Sequence, residues 1–110
     1  MSESSAALDR TLAALADPDR RRAINLLRER PRSAGELAEV IGLPAPAMSR
    51  HLRVLRQSGL VEQRHPEFDS RVRIYSLRPE PMAALREWLD ETEALWAAQL
   101  SSFKQHVEEH

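Results

Sequence analysis

Apolar residues recur every three or four positions through the first half of the chain and again at its end, which is typical of amphipathic helices. Between these regions lies a short stretch of strict alternation, which is typical of strands. The first helical segment, residues 1–16, has Leu8, Leu12 and Leu15 as a thin apolar stripe. Because one narrow stripe cannot stabilise an isolated helix, this segment is expected to pack partly on the core and partly on a partner subunit.

A second helix is predicted to begin where Asp17 precedes Pro18, since aspartate caps a helix and proline suits its first position. Pro31 ends this helix. Its buried side is expected to comprise Ala23, Ile24, Leu26 and Leu27. The arginines at positions 20–22 lie near the helix N-terminus, where positive charge opposes the helix dipole. We interpret them as members of salt bridges on a solvated face, with a phosphate contact as the alternative.

Residues 33–58 predict two short helices joined by a tight turn. Ser33 followed by Glu36 is a capping box that starts the first helix, and Gly42 supplies the left-handed residue that ends it. The second helix is predicted from position 46, where proline suits a first turn, to about position 58. This arrangement predicts a helix-turn-helix.

The second of these helices has one apolar face and one polar face. The apolar face is formed by Met48, Leu52 and Leu55, with Ala47, His51 and Val54 at its margin. The polar face is formed by Pro46, Ser49, Arg50, Arg53 and Gln57. Because arginine binds guanine edges and phosphate in a major groove, the polar face indicates DNA binding.

After the helix-turn-helix, the pattern predicts a β-hairpin of the kind called a wing. The wing is predicted to span residues 60–77, with strands at 60–65 and 71–77 and a loop at 66–70. In the second strand Arg71, Arg73 and Tyr75 alternate with Val72, Ile74 and Ser76. We interpret Arg71 and Arg73, together with Arg64, as contacts to phosphate or a minor groove, with simple solvation as the alternative. Glu67 and Asp69 in the loop would weaken phosphate binding there.

The longest helix is predicted over residues 80–108. Its apolar positions form one stripe that comprises Leu85, Leu89, Thr92, Trp96, Leu100, Phe103 and Val107, widened by Trp88 and Leu95. A stripe of about seven turns exceeds what a small core covers, so it is expected to pair with a symmetry-related subunit. The alternative is that it folds back on its own domain. The predicted dimer interface comprises Leu8, Leu12, Leu85, Trp88, Leu89, Thr92, Trp96, Leu100 and Phe103.

At 110 residues the chain is expected to be a single domain, mainly α-helical with a two-stranded β wing. It has no cysteine, which excludes disulfides and thiolate metal sites. The chain start lacks the pattern of a secretory signal, and there is no long apolar run of transmembrane length. A cytoplasmic protein with no membrane partner is therefore expected.

The net charge of −1 conceals an uneven distribution. Residues 50–78 hold seven arginines against three acidic residues, a balance of +4. Residues 79–110 hold two basic residues against seven acidic ones, a balance of −5. A basic middle beside an acidic tail is typical of a protein that turns one face toward phosphates, so double-stranded DNA is the expected partner.

Three stretches, LADPDRRRAINLL, ELAEVIGLPAPAMSRHLRVLRQSGLV and RVRIYSL, closely resemble in this order the ArsR-type winged helix-turn-helix repressors. The resemblance implies a homodimeric repressor of an inverted-repeat operator, with recognition helices in successive major grooves about 34–36 Å apart. The residues expected to contact DNA are Ala45, Pro46, Ser49, Arg50, Arg53, Gln57, Arg64, Arg71 and Arg73. Where the family usually has a serine cap and a polar residue, this chain has Pro44 and Ala45. The cap hydrogen bond is then lost, and Ala45 is left to contact a thymine methyl.

Members of this family often sense metals, but the ligand positions that the resemblance implies are not filled here. The helix SAGELAEVI lacks a ligand pair, and two residues after Asp90 the chain has Thr92 where the family's second site has histidine. His106 and Glu109 keep the spacing of that site's other pair, at a chain end where we interpret them as solvated surface. No metal, cofactor or catalytic site is therefore expected.

Two other functions remain open from the sequence. In the first, the helical tail binds a different protein and the chain is an interaction module. In the second, a pocket between the terminal helices makes the protein a switch that responds to a small molecule or a metal, whose identity the sequence does not give.

Overall fold

The computed structural model describes residues 3–65 and 71–109. Over these residues the chain forms five α-helices and three short strands. In chain order they are α1 (Glu3–Leu15), α2 (Pro18–Glu29), β1 (Arg32–Ser33), α3 (Ala34–Ile41), α4 (Ala45–Gln57), β2 (Val61–Arg64), β3 (Ile74–Leu77) and α5 (Glu80–Glu109). The predicted fold class, mainly α with a small β wing, is confirmed.

Local caps place α3 where its sequence predicts it. Ser33 Oγ accepts a hydrogen bond from the N–H of Glu36 at 3.2 Å. Gly42 ends the helix in the left-handed region with a φ of 84°, and its N–H donates to the carbonyl of Ala38. The Glu36 carboxylate does not complete the predicted capping box, because it accepts a hydrogen bond from Arg30 Nη2 at 3.0 Å instead.

Replacing Ser33 by alanine is expected to lower the free energy of unfolding by about 1 kcal/mol, because the N–H of Glu36 loses its acceptor. Ser33→Thr keeps a hydroxyl and should retain most of that free energy. Urea unfolding at one fixed protein concentration measures the difference. Ser101→Ala, at an exposed position of α5, is the matched control and should change stability by less than about 0.5 kcal/mol. Equal losses in the two alanine variants would contradict the cap.

The sheet has three antiparallel strands in the order β1-β3-β2. The wing strands β2 and β3 were predicted, whereas β1 was not. In β1, Arg32 pairs with Tyr75 and Ser33 pairs with Ile74. A two-residue strand is too short to show alternation, which explains why the pattern missed it. Because β1 directly precedes α3, this backbone pairing fixes the start of α3 to the wing.

The second wing strand is shorter than predicted. It begins at Ile74, so Arg71 and Arg73 precede the strand and do not belong to it. Its register pairs Ile74 with Arg64, the last residue of β2. Tyr75 is buried, and its hydroxyl donates to Gln63 Oε1 at 3.1 Å, so the face of this strand that was assigned to the arginines points into the core. The predicted loop, residues 66–70 with Glu67 and Asp69, lies outside the described residues.

The core forms where α2, α3, α4 and the sheet meet. The largest fully buried side chains are Leu37, Met48, Leu52, Leu55 and Leu60. Three of them lie in α4 and are the predicted apolar face of that helix. Since a buried face cannot turn outward without losing its packing, the core fixes which side of α4 faces solvent.

Helix α1 packs on the core through Thr11 and Ala14 as well as through Leu15, the last residue of its predicted leucine stripe. Thr11 and Ala14 are buried, and Thr11 Oγ1 donates to the carbonyl of Ala7 at 3.1 Å. Leu8 is half-buried, and Leu12 remains 42% exposed. Small residues at the contact let α1 approach closely, and of the three leucines only Leu12 is left exposed.

Helix α5 runs for 30 residues, a length of roughly 45 Å at the rise of an α-helix. Its start packs against α1, and Leu85 is buried within the protomer. Residues 93–109 are all exposed, so this part of the helix does not fold back on its own domain. The molecule is correspondingly elongated, with extents of 70 × 29 × 24 Å. None of the described helices combines the length and the apolar character needed to cross a membrane.

Candidate nucleic-acid interface

The outer face of α4 is exposed to solvent. Its exposed residues are Ala45, Pro46, Ser49, Arg50, Arg53, Arg56 and Gln57. The helix begins after Pro44, which provides no side-chain cap, as the sequence predicts. From Pro46 to Gln57 this face is roughly 16 Å long, and a single helix of this kind fits a major groove about 12 Å wide.

The arginines of α4 have no partner within the described part of the protein. The side chains of Arg50, Arg53 and Arg56 form neither a hydrogen bond nor an ion pair with any described residue. The described arginines that do have a partner are Arg20, Arg21, Arg22, Arg28, Arg30, Arg32, Arg64, Arg71, Arg78 and Arg86. The charge of α4 is therefore available for an external anion, and a phosphate or a guanine edge is the partner that arginine suits best.

Arg56 was missing from the predicted site. Together with Arg53 and Gln57 it lines an open hollow of about 370 Å³ at the C-terminal half of α4. The signal was present in the sequence, because Arg56 follows Arg53 by three residues and so lies on a neighbouring position of the helix surface.

The wing contributes exposed basic residues beside α4. Arg64, Arg71 and Arg73 are all exposed. Arg64 Nη2 forms an ion pair with Glu62 at 2.9 Å, which reduces its availability for phosphate. Nδ1 of His65 lies 3.3 Å from the carbonyl oxygen of Val72 and joins the two arms beyond the paired strands.

Two of the three arginines at positions 20–22 have a different role from either predicted one. Arg20 Nε and Nη2 donate to the carbonyls of Ala14 at 2.6 Å and Ala13 at 3.1 Å. Arg21 Nη1 donates to the carbonyl of Leu15 at 2.8 Å. These carbonyls end α1, which has no basic residue in its own last turn. Two of the three arginines therefore cap the preceding helix, and Arg22 alone of the three forms a predicted salt bridge, with Asp19 at 3.1 Å.

His51 of α4 faces α2 and is half-buried. Its Nδ1 lies 3.4 Å from Arg20 Nη1, and ligand atoms of Asp17, Asp19 and His51 lie within 4.8 Å of one another. Asp17 Oδ1 accepts hydrogen bonds from the N–H groups of Asp19 at 2.8 Å and Arg20 at 3.2 Å. With an arginine or a backbone N–H already on each ligand residue, this cluster is poorly suited to a cation, and we assign no metal to it.

The pKa of the Asp17 carboxyl is shifted by several effects, one of which opposes the others. Loss of hydration acts to raise the pKa, but hydrogen bonds from the backbone N–H groups of Arg20 and Asp19 lower it, and the positive charges of a protonated His51 and of Arg20 lower it further. The net effect is a pKa below the ordinary value. The stabilising contribution of this carboxylate is therefore complete above its ordinary pKa and is lost as the pH falls through the lowered pKa.

The predicted dimer residues fall into three groups in the structure, which differ in exposure. Leu85 is buried within the protomer, so it belongs to the protomer core and has almost no surface left for a partner. Thr92 and Leu8 are half-buried. The remaining members are exposed large side chains, namely Leu12, Trp88, Leu89, Trp96, Leu100 and Phe103. Between α1 and α5, the side chains of Leu8 and Trp88 line an open hollow of about 370 Å³.

Two short helices joined at a left-handed glycine, with an unpaired arginine face on the second and a β-hairpin beside it, define a winged helix-turn-helix DNA-binding protein. Residues 17–63 match the family model described as "Bacterial regulatory protein, arsR family". The HTH-type transcriptional regulator Rv2034 of Mycobacterium tuberculosis is 37% identical over 100 residues, which cover 91% of this chain and 88% of that protein. The protein belongs to the ArsR family of transcriptional regulators.

Two further comparisons support this assignment. The transcriptional repressor SdpR of Bacillus subtilis is 32% identical over 54 residues, covering 49% of this chain and 60% of that protein. The solved structure of an ArsR-like transcriptional regulator from Rhodococcus sp. RHA1 superimposes with a TM-score of 0.85 at 26% identity. That match covers 100% of this chain and 99% of the other, so the likeness includes the long terminal helix.

Proposed function

We propose that this protein is a homodimeric repressor that binds an inverted-repeat operator through one α4 helix from each subunit. The observation that carries the proposal is the exposed face of α4, where Arg50, Arg53 and Arg56 have no partner among the described residues. Ser49, at the same exposed face, adds a hydroxyl that hydrogen-bonds bases or phosphate. Arg71 and Arg73 of the wing would contact the sugar-phosphate backbone beside the site that α4 occupies.

The homodimer is proposed from the apolar surface that α1 and α5 leave uncovered. Trp96, Leu100 and Phe103 are between 62% and 67% exposed on one stripe of α5. Contiguous apolar surface of this kind marks an interaction site, and a two-fold axis lets the same stripe serve both subunits. A dimer also matches the two-fold symmetry of an inverted-repeat site.

Repression is proposed to be independent of metal ions. Two residues after Asp90 on α5 the chain has Thr92, where a second metal ligand would be needed. The ligand atoms of Asp17, Asp19 and His51 already have arginine or backbone N–H partners. The SdpR similarity supports a repressor and not an activator, since that relative is named a transcriptional repressor.

Fluorescence anisotropy with DNA from upstream of the protein's own gene tests this function. Tighter binding to this duplex than to a scrambled one, with affinity that falls steeply as salt rises, is expected for sequence-specific recognition by arginines. Adding Zn²⁺ or EDTA should leave the affinity unchanged. Equal affinity for both duplexes would direct the search to other promoters. Failure to bind either duplex at low salt would overturn the proposal and favour a protein-interaction module.

A further inference from the structure

Arg20 of α2 contacts two separate elements with one guanidinium group. Its Nε and Nη2 bind the carbonyls of Ala14 and Ala13 in the last turn of α1. Its Nη1 lies 3.4 Å from Nδ1 of His51, which belongs to α4. The same side chain therefore touches the end of α1, which exposes Leu12, and the helix with the unpaired arginine face.

The place where Arg20 lies is a gap in the packing. A crevice of about 180 Å³ separates α1 from the C-terminal half of α4, and Arg20 is part of its lining. Ala13 and Ala14 line its α1 side, and Val54 and Gln57 line its α4 side. An open crevice offers little van der Waals contact between α1 and α4. The hydrogen bonds and the contact of Arg20 therefore contribute a larger share of the interaction between these helices than they would in a packed core.

The contact with Arg20 determines which ring nitrogen of His51 can carry a proton. Carbonyl groups at a helix C-terminus carry partial negative charge, so they hold the guanidinium firmly. A guanidinium has only donors, and therefore His51 can meet it only with an unprotonated Nδ1. The bridge thus requires a neutral imidazole with its proton on Nε2.

We propose that Arg20 is a positioning residue that couples the placement of α1 to the placement of the recognition helix α4 through His51. This inference rests on the proposed function, in which α1 takes part in the dimer interface and α4 contacts DNA. A change in how the two subunits pack at α1 then alters the DNA-contacting face, even though that change takes place away from α4.

Two variants of His51 separate coupling from simple helix capping. The caps on α1 use Nε and Nη2 of Arg20, whereas the contact with His51 uses Nη1, so a change at His51 leaves the caps in place. His51→Leu removes the acceptor and keeps an apolar body of similar size. His51→Gln keeps an acceptor oxygen that Arg20 can reach.

The test is a double-mutant cycle of Arg20→Ala and His51→Leu, read as affinity for the native operator duplex. We expect His51→Leu to weaken operator binding by roughly three- to thirtyfold, and His51→Gln to restore it. The double variant should bind no more weakly than Arg20→Ala alone, because the contact is already lost. Long-range ¹H–¹⁵N spectra of the full chain should show the Nε2–H tautomer of His51, and this signature should change in Arg20→Ala.

Several outcomes would overturn the coupling. One is an operator affinity of His51→Leu equal to that of the wild type, and another is a double variant whose loss is the product of the two single losses. A His51 tautomer that is indifferent to Arg20→Ala would overturn the contact itself, and this readout needs no DNA. Failure of the proposed function is recognised separately, because in that case the wild-type protein does not distinguish the operator from the scrambled duplex.

Discussion

Replacing Arg50 by alanine is expected to weaken operator binding about tenfold to a hundredfold, which corresponds to one good arginine contact with a base. The melting temperature should hardly change, because Arg50 is exposed and has no partner among the described residues. Fluorescence anisotropy on the native duplex gives the affinity, and differential scanning calorimetry gives the melting temperature.

The salt dependence of this variant tells which DNA group Arg50 contacts. A phosphate contact predicts that the logarithmic salt slope becomes shallower by about one unit and that all sequences lose affinity alike. A base contact predicts a loss confined to the native sequence. Arg28→Ala is the control, since Arg28 is an exposed arginine of α2 whose partner, Asn25, is at 3.5 Å. If Arg50→Ala lowers the melting temperature by many degrees, the outward assignment of this face is wrong.

The parts of the fold that could be predicted are those specified by neighbours in the sequence. Ser33 and Gly42 bound α3 through contacts made within four residues, so the helix ends are readable without any knowledge of the tertiary structure. The buried face of α4 likewise follows from the spacing of Met48, Leu52 and Leu55. Its outer face was therefore predicted as well, apart from Arg56.

The parts that escaped prediction depend on contacts between distant residues. The pairing of Ser33 with Ile74 in β1 joins positions far apart in the sequence and involves too few residues to leave a periodic signal. The dipole of α2 alone disfavours a positive charge at Arg20, and the sequence does not show which other groups lie near it. Its actual partners are carbonyls of α1, which approach only after the chain turns at Asp17.

The apolar stripe of α5 has one property that could be predicted from the sequence and one that could not. Its periodicity correctly predicts one long helix, because the spacing is a local property. Periodicity does not say which part of a stripe the protomer itself covers. The start of α5 packs against α1 and buries Leu85, whereas Trp96 and Leu100 remain more than 60% exposed.

Replacing Leu100 by glutamate is expected to raise the dissociation constant of the proposed homodimer by at least about thirtyfold, as for loss of a central apolar contact in an interface. Leu100 is 62% exposed in the protomer, so the substitution costs little in the isolated chain, but pairing would bury a charge without a partner. Light scattering and sedimentation equilibrium over a range of concentrations, set against the 12.5 kDa chain mass, measure the change. Trp96→Ala should act in the same direction.

Ala98→Glu is the matched control for this variant. It introduces the same charge two residues away, on the opposite side of α5, where it should leave the dimer intact. If Leu100→Glu forms monomers and Ala98→Glu does not, the stripe is the dimer contact, and the operator affinity of Leu100→Glu should fall because each half-site is then bound separately. A Leu100→Glu protein that remains fully dimeric would mean that the stripe does not hold the dimer together. The exposed stripe would then be free for a different protein, and the subunits would have to pair through another surface to span both half-sites.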